Sequence, residues 1–135
     1  MNVYLDINGV LLTNNIQPAQ NVVEFLKYLT DNHTVYWLTT HCRGGENRAV
    51  EYLSDKLPAE ALVYLNKILP TDWDTLKTEA IDFTNKCVWF DDQSIRAEDK
   101  ILAKHANTVK FIHVNLSVEP DLISYLSTFA NISEK

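Results

Sequence analysis

The chain has 135 residues but only three glycines, two cysteines, one methionine and four prolines. Cys42 and Cys87 stand far apart with no CxxC or CxxH spacing, so neither a disulfide framework nor a structural zinc site is indicated. No apolar run approaches the ~18 residues that suggest a membrane span. The opening Met-Asn-Val-Tyr-Leu-Asp has no basic stretch and carries an acid inside its first apolar run, unlike a secretory leader. These absences predict a reducing, cytoplasmic setting without membrane attachment. Basic residues are also short: twelve Lys and Arg against eighteen Asp and Glu leave a net charge of −6. That balance repels a phosphate backbone and disfavours generic nucleic-acid coating unless the few basic groups gather at one place.

What is present suits an ordinary folded core. Hydrophobic residues make up 46% and charged residues 22%, close to the average for globular domains, and the length predicts a single domain over residues 1–135. Four short runs rich in β-branched and aromatic residues read as strands: Val3 to Leu5, Val35 to Leu38, Cys87 to Phe90, and Val109 to Val114. The first three are almost continuously apolar, as strands covered on both faces must be, which points to a parallel sheet. The fourth alternates more, through Lys110 and His113, and suits an edge.

Helical spacing fills the intervals. Pro18 to Leu29 carries Val22, Phe25, Leu26 and Leu29 in one stripe, with Pro18 suited to a first turn. Further helices are predicted from about Glu46 to Lys56, Asp74 to Thr84, Ser94 to His105 and Glu119 to Ala130, and a possible extra strand at Ala61 to Leu65. Strands alternating with helices imply βαβ units, hence an α/β fold: a three-layer, Rossmann-like parallel sheet with helices on both faces.

In such sheets ligands gather beyond the carboxyl ends of the strands, and the polar residues of this chain collect there. Asp6-Ile7-Asn8-Gly9 follows the first strand, Thr39-Thr40-His41-Cys42-Arg43-Gly44-Gly45 the second, and Asp91-Asp92-Gln93-Ser94 the third. All three glycines fall in these loops, where backbone must turn tightly or approach a ligand. Asp6 beside Asp91 and Asp92 would form a self-repelling carboxylate cluster unless a cation sat within it, and a hard divalent ion such as Mg²⁺ takes oxygen ligands of this kind. The plainer alternative is that these acids cap helices and turns. Thr39, with Gly44 and Gly45 leading towards a helix, offers a hydroxyl and free amides for an anion such as phosphate. Arg43 and Arg48 could contact a phosphate or carboxylate, or form a solvated basic face.

At these residues the sequence resembles the haloacid dehalogenase (HAD) superfamily, whose phosphotransferases carry four motifs at successive strand ends. The first resembles Val3-Tyr4-Leu5-Asp6-Ile7-Asn8-Gly9-Val10, the second Val35-Tyr36-Trp37-Leu38-Thr39, and the fourth Val88-Trp89-Phe90-Asp91-Asp92. The third is a lysine, for which Lys77 is best placed and Lys67 is the fallback. The intervals leave no room for a large cap domain, so the resemblance implies an open site suited to a phosphorylated, even macromolecular, substrate, or one whose cap is supplied by a partner. It implies Asp6 as the nucleophile that becomes an aspartyl phosphate. Mg²⁺ would be held by Asp6, the backbone carbonyl of Asn8 and one or both of Asp91 and Asp92, and the phosphoryl group gripped by Thr39 and Lys77, with Thr40, Arg43 and Gly44 beside them.

Asn8 departs from the pattern. Family phosphatases place an aspartate there to protonate the leaving oxygen and then activate water, and a carboxamide does neither. General acid–base catalysis supplies typically ~10²–10⁴-fold, so the resemblance implies a weak or highly selective phosphatase, least impaired on acyl and aryl phosphates. A pseudo-enzyme, an enzyme that borrows another acid or stops at the phosphoenzyme, and a substrate-trapping Asp→Asn substitution all fit. Two other functions compete: a catalytically silent protein binding a phosphorylated or anionic partner, and a nucleic-acid end-processing phosphatase, since Leu38-Thr39-Thr40-His41 also resembles HAD domains attached to RNA-repair systems.

Overall fold

In the computed structural model, which describes residues 1–45 and 47–133, the apolar runs become four parallel strands. These are β1 (Asn2–Leu5), β2 (Thr34–Trp37), β3 (Cys87–Asp91) and β4 (Val109–His113), in the order β2-β1-β3-β4. The central pair therefore is β1 and β3, with Leu5 opposite Phe90. The alternating fourth run lies at an edge, as its pattern predicts.

Side-chain alternation divides the sheet into two faces. Val3 and Leu5, Val35 and Trp37, Val88 and Phe90, and Ile112 turn to the larger core. There they meet Phe25, Leu26 and Leu29 of α1 (Val22–Asn32), Ala49 and Leu53 of α2 (Ala49–Leu53), Leu65 of α3 (Leu62–Leu65), and Leu122 and Phe129 of α5 (Leu122–Ser133). The other face carries Tyr4, Cys87, Trp89 and Val109, covered by Trp73, Ile81 and, half-buried, Phe83 and Leu102. Leu102 belongs to α4 (Arg96–Lys104). Among the described residues no helix is long and apolar enough to cross a membrane.

Several elements differ from expectation. Pro18 does not open a helix: it bridges Leu12, and α1 starts at Val22 behind Asn21 in the left-handed region (φ 61°). The predicted strand at Ala61 to Leu65 is helical, a 3₁₀ turn at Ala59–Ala61 running into α3. Pro58 starts it, and its buried residues, Ala61 and Leu65, are four apart, a helical rather than alternating spacing. Leu69, four residues after Leu65, instead bridges Tyr36 at the β2 edge.

The predicted helix at Asp74 to Thr84 shrinks to one 3₁₀ turn, Lys77–Ala80. The Glu79 carboxylate accepts hydrogen bonds from the backbone N–H groups of Asp74, Thr75 and Leu76. A side chain that satisfies those amides offers the backbone an alternative to the helix. The second face is thus covered by one helix and an irregular segment, not by helices alone. The helix predicted from Glu46 is found as α2 from Ala49, Glu46 itself lying outside the described residues.

Candidate active site

The site grows from the ends of the two central strands. Asp6 continues β1, its N–H donating to the Phe90 carbonyl at 3.1 Å, and Asp91 is the last residue of β3. Adjacent parallel strands in register therefore deliver the two carboxylates to the same end of the sheet. One oxygen from each of Asp6, Asp91 and Asp92 lies within 4.8 Å of the others, a group able to hold a metal ion. Asp91 is fully buried and Asp6 is only 8% exposed.

Lys77 joins the two strands. Its Nζ lies 2.7 Å from Asp91 Oδ2 and 3.3 Å from Asp6 Oδ2. Burial opposes the ammonium charge, but Asp6 and Asp91 outweigh it and hold the Lys77 pKa above its ordinary value. Asp91 is pushed up to about 8, by burial first and then by the charge of Asp6, against the pull of Lys77. One lysine does not neutralise the cluster, so Asp91 is the member whose charge burial and Asp6 most disfavour.

The supports of this pair lie outside the motifs. Trp89 packs in the second core, yet its Nε1–H also donates to Asp91 Oδ2 at 3.2 Å. The buried Glu98 accepts from the Lys77 N–H at 2.9 Å and from the Ile95 N–H at 3.0 Å, tying the lysine turn to the start of α4. Their sequence signals are slight: Trp89 reads as an apolar strand residue, and Glu98 as one acid among several in a helix's first turn.

Asp6, Asn8, Thr40, Lys77, Asp91 and Asp92 line one cleft of about 320 Å³, with Trp73 and Glu98 at its wall. Gly9 lets the loop close on it. At φ +85°, a Cβ on Gly9 would also collide with the Asp92 carboxylate, so the third acid sits where only a glycine leaves room. Asn8 is exposed, and its Oδ1 accepts a hydrogen bond from the Tyr52 hydroxyl at 3.2 Å.

In the loop after β2 the Gly44 amide, one of those its sequence suggests are free, is already engaged. The Gly44 N–H donates to the Trp73 carbonyl at 2.8 Å, and Arg43 Nε donates to the Asp74 carbonyl at 2.6 Å while its guanidinium lies 5.5 Å from the Trp73 ring. Trp73 Nε1 in turn donates to the Thr39 carbonyl at 3.1 Å. The Gly44 N–H and the Arg43 Nε–H therefore strap residues 40–45 to Trp73 and Asp74. Thr39 is buried, and its hydroxyl oxygen accepts from the His41 N–H at 3.4 Å; Thr40 is the threonine that borders the cleft. Cys42 is a buried filler whose pKa burial raises. Lys67, exposed and 3.7 Å from Asp31, stands beside α1 rather than in the cleft.

Comparison with family models, curated proteins and solved structures gives no match.

Proposed function

We propose that this chain is a HAD-like phosphohydrolase, with Asp6 as nucleophile and Mg²⁺ as its cofactor. The observation that carries the reading is the bridging of Asp6 and Asp91 by Lys77 at the ends of adjacent strands. A carboxylate held next to an ammonium, at the open end of a parallel sheet, is placed to attack an electrophile that the same ammonium attracts.

The donor set fits a hard divalent cation: three carboxylates, oxygen only, carrying more negative charge than Lys77 balances. Asp6, Asp91 and Asp92 would hold it, with the Asn8 carbonyl as a further oxygen. When bound it supplies positive charge between nucleophile and phosphate, relieving their repulsion. The remaining work falls to the chain. Lys77 orients the Asp6 carboxylate and draws phosphoryl oxygens towards it, while Glu98 and Trp89 keep Lys77 and Asp91 in place. Thr40 borders the cleft where a phosphoryl oxygen would lie.

Asn8 favours a second reading, in which the protein binds a phosphorylated partner without turning it over. One experiment separates the two. With p-nitrophenyl phosphate and Mg²⁺, Asn8→Asp is expected to raise kcat, by no more than the lower end of the ~10²–10⁴-fold that general acid–base catalysis supplies because this leaving group needs little protonation, and Asp6→Asn to remove hydrolysis in either background. Silence of Asn8→Asp with Mg²⁺ binding intact would support the binding protein. Activity persisting in Asp6→Asn would remove the nucleophile from this account.

A further inference from the structure

The Asn8 side chain is held by a residue that no motif includes. Tyr52, on α2, lines a second cavity of about 550 Å³, together with His41, Arg48, Glu51, Asp55 and Lys56. Its hydroxyl leaves that cavity's wall to donate to Asn8 Oδ1 at 3.2 Å. The ring is fixed from two sides in the structure. The His41 imidazole stacks on it at 4.0 Å between centroids, and Lys56 Nζ lies 4.1 Å from its centroid. Lys56 is itself anchored, donating to the Tyr52 carbonyl at 3.0 Å and pairing with Asp55 at 3.1 Å.

A carboxamide has two ends, and engaging one determines what the other can do. With Oδ1 engaged by Tyr52, the end left over is the amide nitrogen, which makes no hydrogen bond among the described residues, and Asn8 is one of the residues that line the cleft. An amide N–H donates a hydrogen bond to an oxygen that is gaining negative charge, but it gives up no proton.

We propose that Tyr52 is a positioning residue that holds Asn8 with its amide N–H turned to the leaving oxygen, restricting the site to phosphoryl donors whose leaving group departs as an anion: acyl and aryl phosphates rather than alkyl esters. This rests on the nucleophilic role proposed for Asp6. In the first step an Asp6 oxygen forms a bond to phosphorus, the bond to the leaving oxygen breaks, and its electron pair stays on that oxygen, which receives a hydrogen bond from Asn8. In the second step water oxygen bonds to phosphorus, the acyl-phosphate bond breaks with its electron pair returning to Asp6, and the water proton passes to a phosphoryl oxygen. No step asks a side chain at position 8 to carry a proton, and only a weakly basic leaving group tolerates that.

The test joins a spectroscopic and a kinetic measurement on the full chain. The Asn8 side-chain amide resonances, assigned by their loss in Asn8→Asp, are expected to move in Tyr52→Phe and to stay in place in the control Tyr64→Phe. If Tyr52→Phe does not fold, Asn8→Ala reads the same bond from its other end, through the Tyr52 ring carbon that bears the hydroxyl. Across an aryl phosphate series, kcat/KM is expected to fall about 10²-fold or more from p-nitrophenyl to phenyl phosphate, and Asn8→Asp to flatten that dependence. Tyr52→Phe should lower kcat about tenfold with KM little changed, since an ordering interaction is lost rather than a binding one.

Unmoved Asn8 resonances, or an unmoved Tyr52 ring carbon, overturn the positioning role. Alkyl and aryl phosphates hydrolysed alike by the unaltered chain overturn the restriction and leave the phosphatase reading standing. Absence of hydrolysis from both the unaltered chain and Asn8→Asp overturns that reading, and the substrate restriction falls with it even where the resonances move.

Discussion

The carboxyl ends of β1 and β3 and the segment from Asn66 to Lys86 both build the cleft, yet they are held by different physics. In β3, Cys87 to Asp91 are buried without exception, so each side chain's position is set by strand alternation and burial against packed neighbours. From Asn66 to Lys86 the only helical structure is the turn at Lys77–Ala80, with Leu76 and Ile81 extended on either side. There the backbone is placed by individual polar bonds: Thr71 Oγ1 to the Trp37 carbonyl at 2.5 Å, Trp73 Nε1 to the Thr39 carbonyl at 3.1 Å, and the Glu79 carboxylate on three successive amides. Those three donors keep the Glu79 pKa below its ordinary value. One region is specified by a pattern spread over many residues, the other by a few buried anchors, Ile68, Trp73 and Ile81, together with single donors and acceptors. The site needs both, because the acids come from the first and the lysine from the second.

Lys77 is where the comparison breaks most sharply. Replacing it with methionine leaves Asp6 and Asp91 facing each other in a buried setting, and it removes the charge proposed to draw phosphate towards Asp6. Hydrolysis is expected to fall about 10²–10³-fold. In the metal-free protein the same change is expected to cost about 3 kcal/mol of stability at pH 9, as for other buried pairs that lose one partner, and less at pH 6, where Asp91 can take up a proton. Chemical denaturation at the two pH values checks this. An equal, small loss at both would mean that the lysine turn is held in place without its ion pairs.

The pH dependence of the unaltered chain sharpens the same contrast. Asp91 is raised to about 8 in the folded protein against about 3.9 in an unfolded chain. Between these values the native state binds more protons, so its stability falls as pH rises. The contribution is fully present below about pH 4 and is lost as pH rises through 8. Lys77, raised above its usual value, stays charged throughout that window. Denaturation midpoints of the metal-free chain should therefore decline between pH 5 and 9, and Asp91→Asn should flatten the decline. Added Mg²⁺ should stabilise the unaltered chain more at pH 9 than at pH 5, since it binds the ionised form, and should have little effect on Asp91→Asn. A decline that survives in Asp91→Asn would place its source outside the strand ends.

This division also explains what could be read in the sequence. Asp6, Asp91 and Asp92 were legible because apolar strands of β1 and β3 type announce where they end, and a strand end fixes the position of the next side chain. Lys77 was found through a family pattern, while the helix drawn around it was not: Leu76, Ala80 and Phe83 match a helical stripe, but Glu79 diverts the amides that such a helix would need. Ala61 and Leu65 failed for a related reason, since a five-residue apolar run carries too little periodicity to separate strand from helix. Arg43 and Gly44 look available to a ligand in sequence because nothing local shows Trp73 and Asp74 arriving from thirty residues away. Tyr52 left no signal, as its partner Asn8 lies 44 positions distant.

Trp73→Phe probes the irregular region with the smallest expected effect. Phenylalanine keeps most of the apolar area that Trp73 contributes to the second core, and loses the Nε1–H that the Thr39 carbonyl accepts. That carbonyl is not orphaned, because it also accepts from the Cys42 N–H at 3.0 Å. The Trp73 carbonyl continues to accept from Gly44, since that bond belongs to the backbone. The cost is therefore expected near the net value of one hydrogen bond, about 1 kcal/mol, with hydrolysis lowered no more than about threefold because Lys77 is anchored separately through Glu98. Urea denaturation and p-nitrophenyl phosphate turnover measure the two quantities. A loss of about 3 kcal/mol or more would be a core-sized penalty, and residues 66–86 would then belong with the strands, held by packing rather than by a set of separable polar bonds.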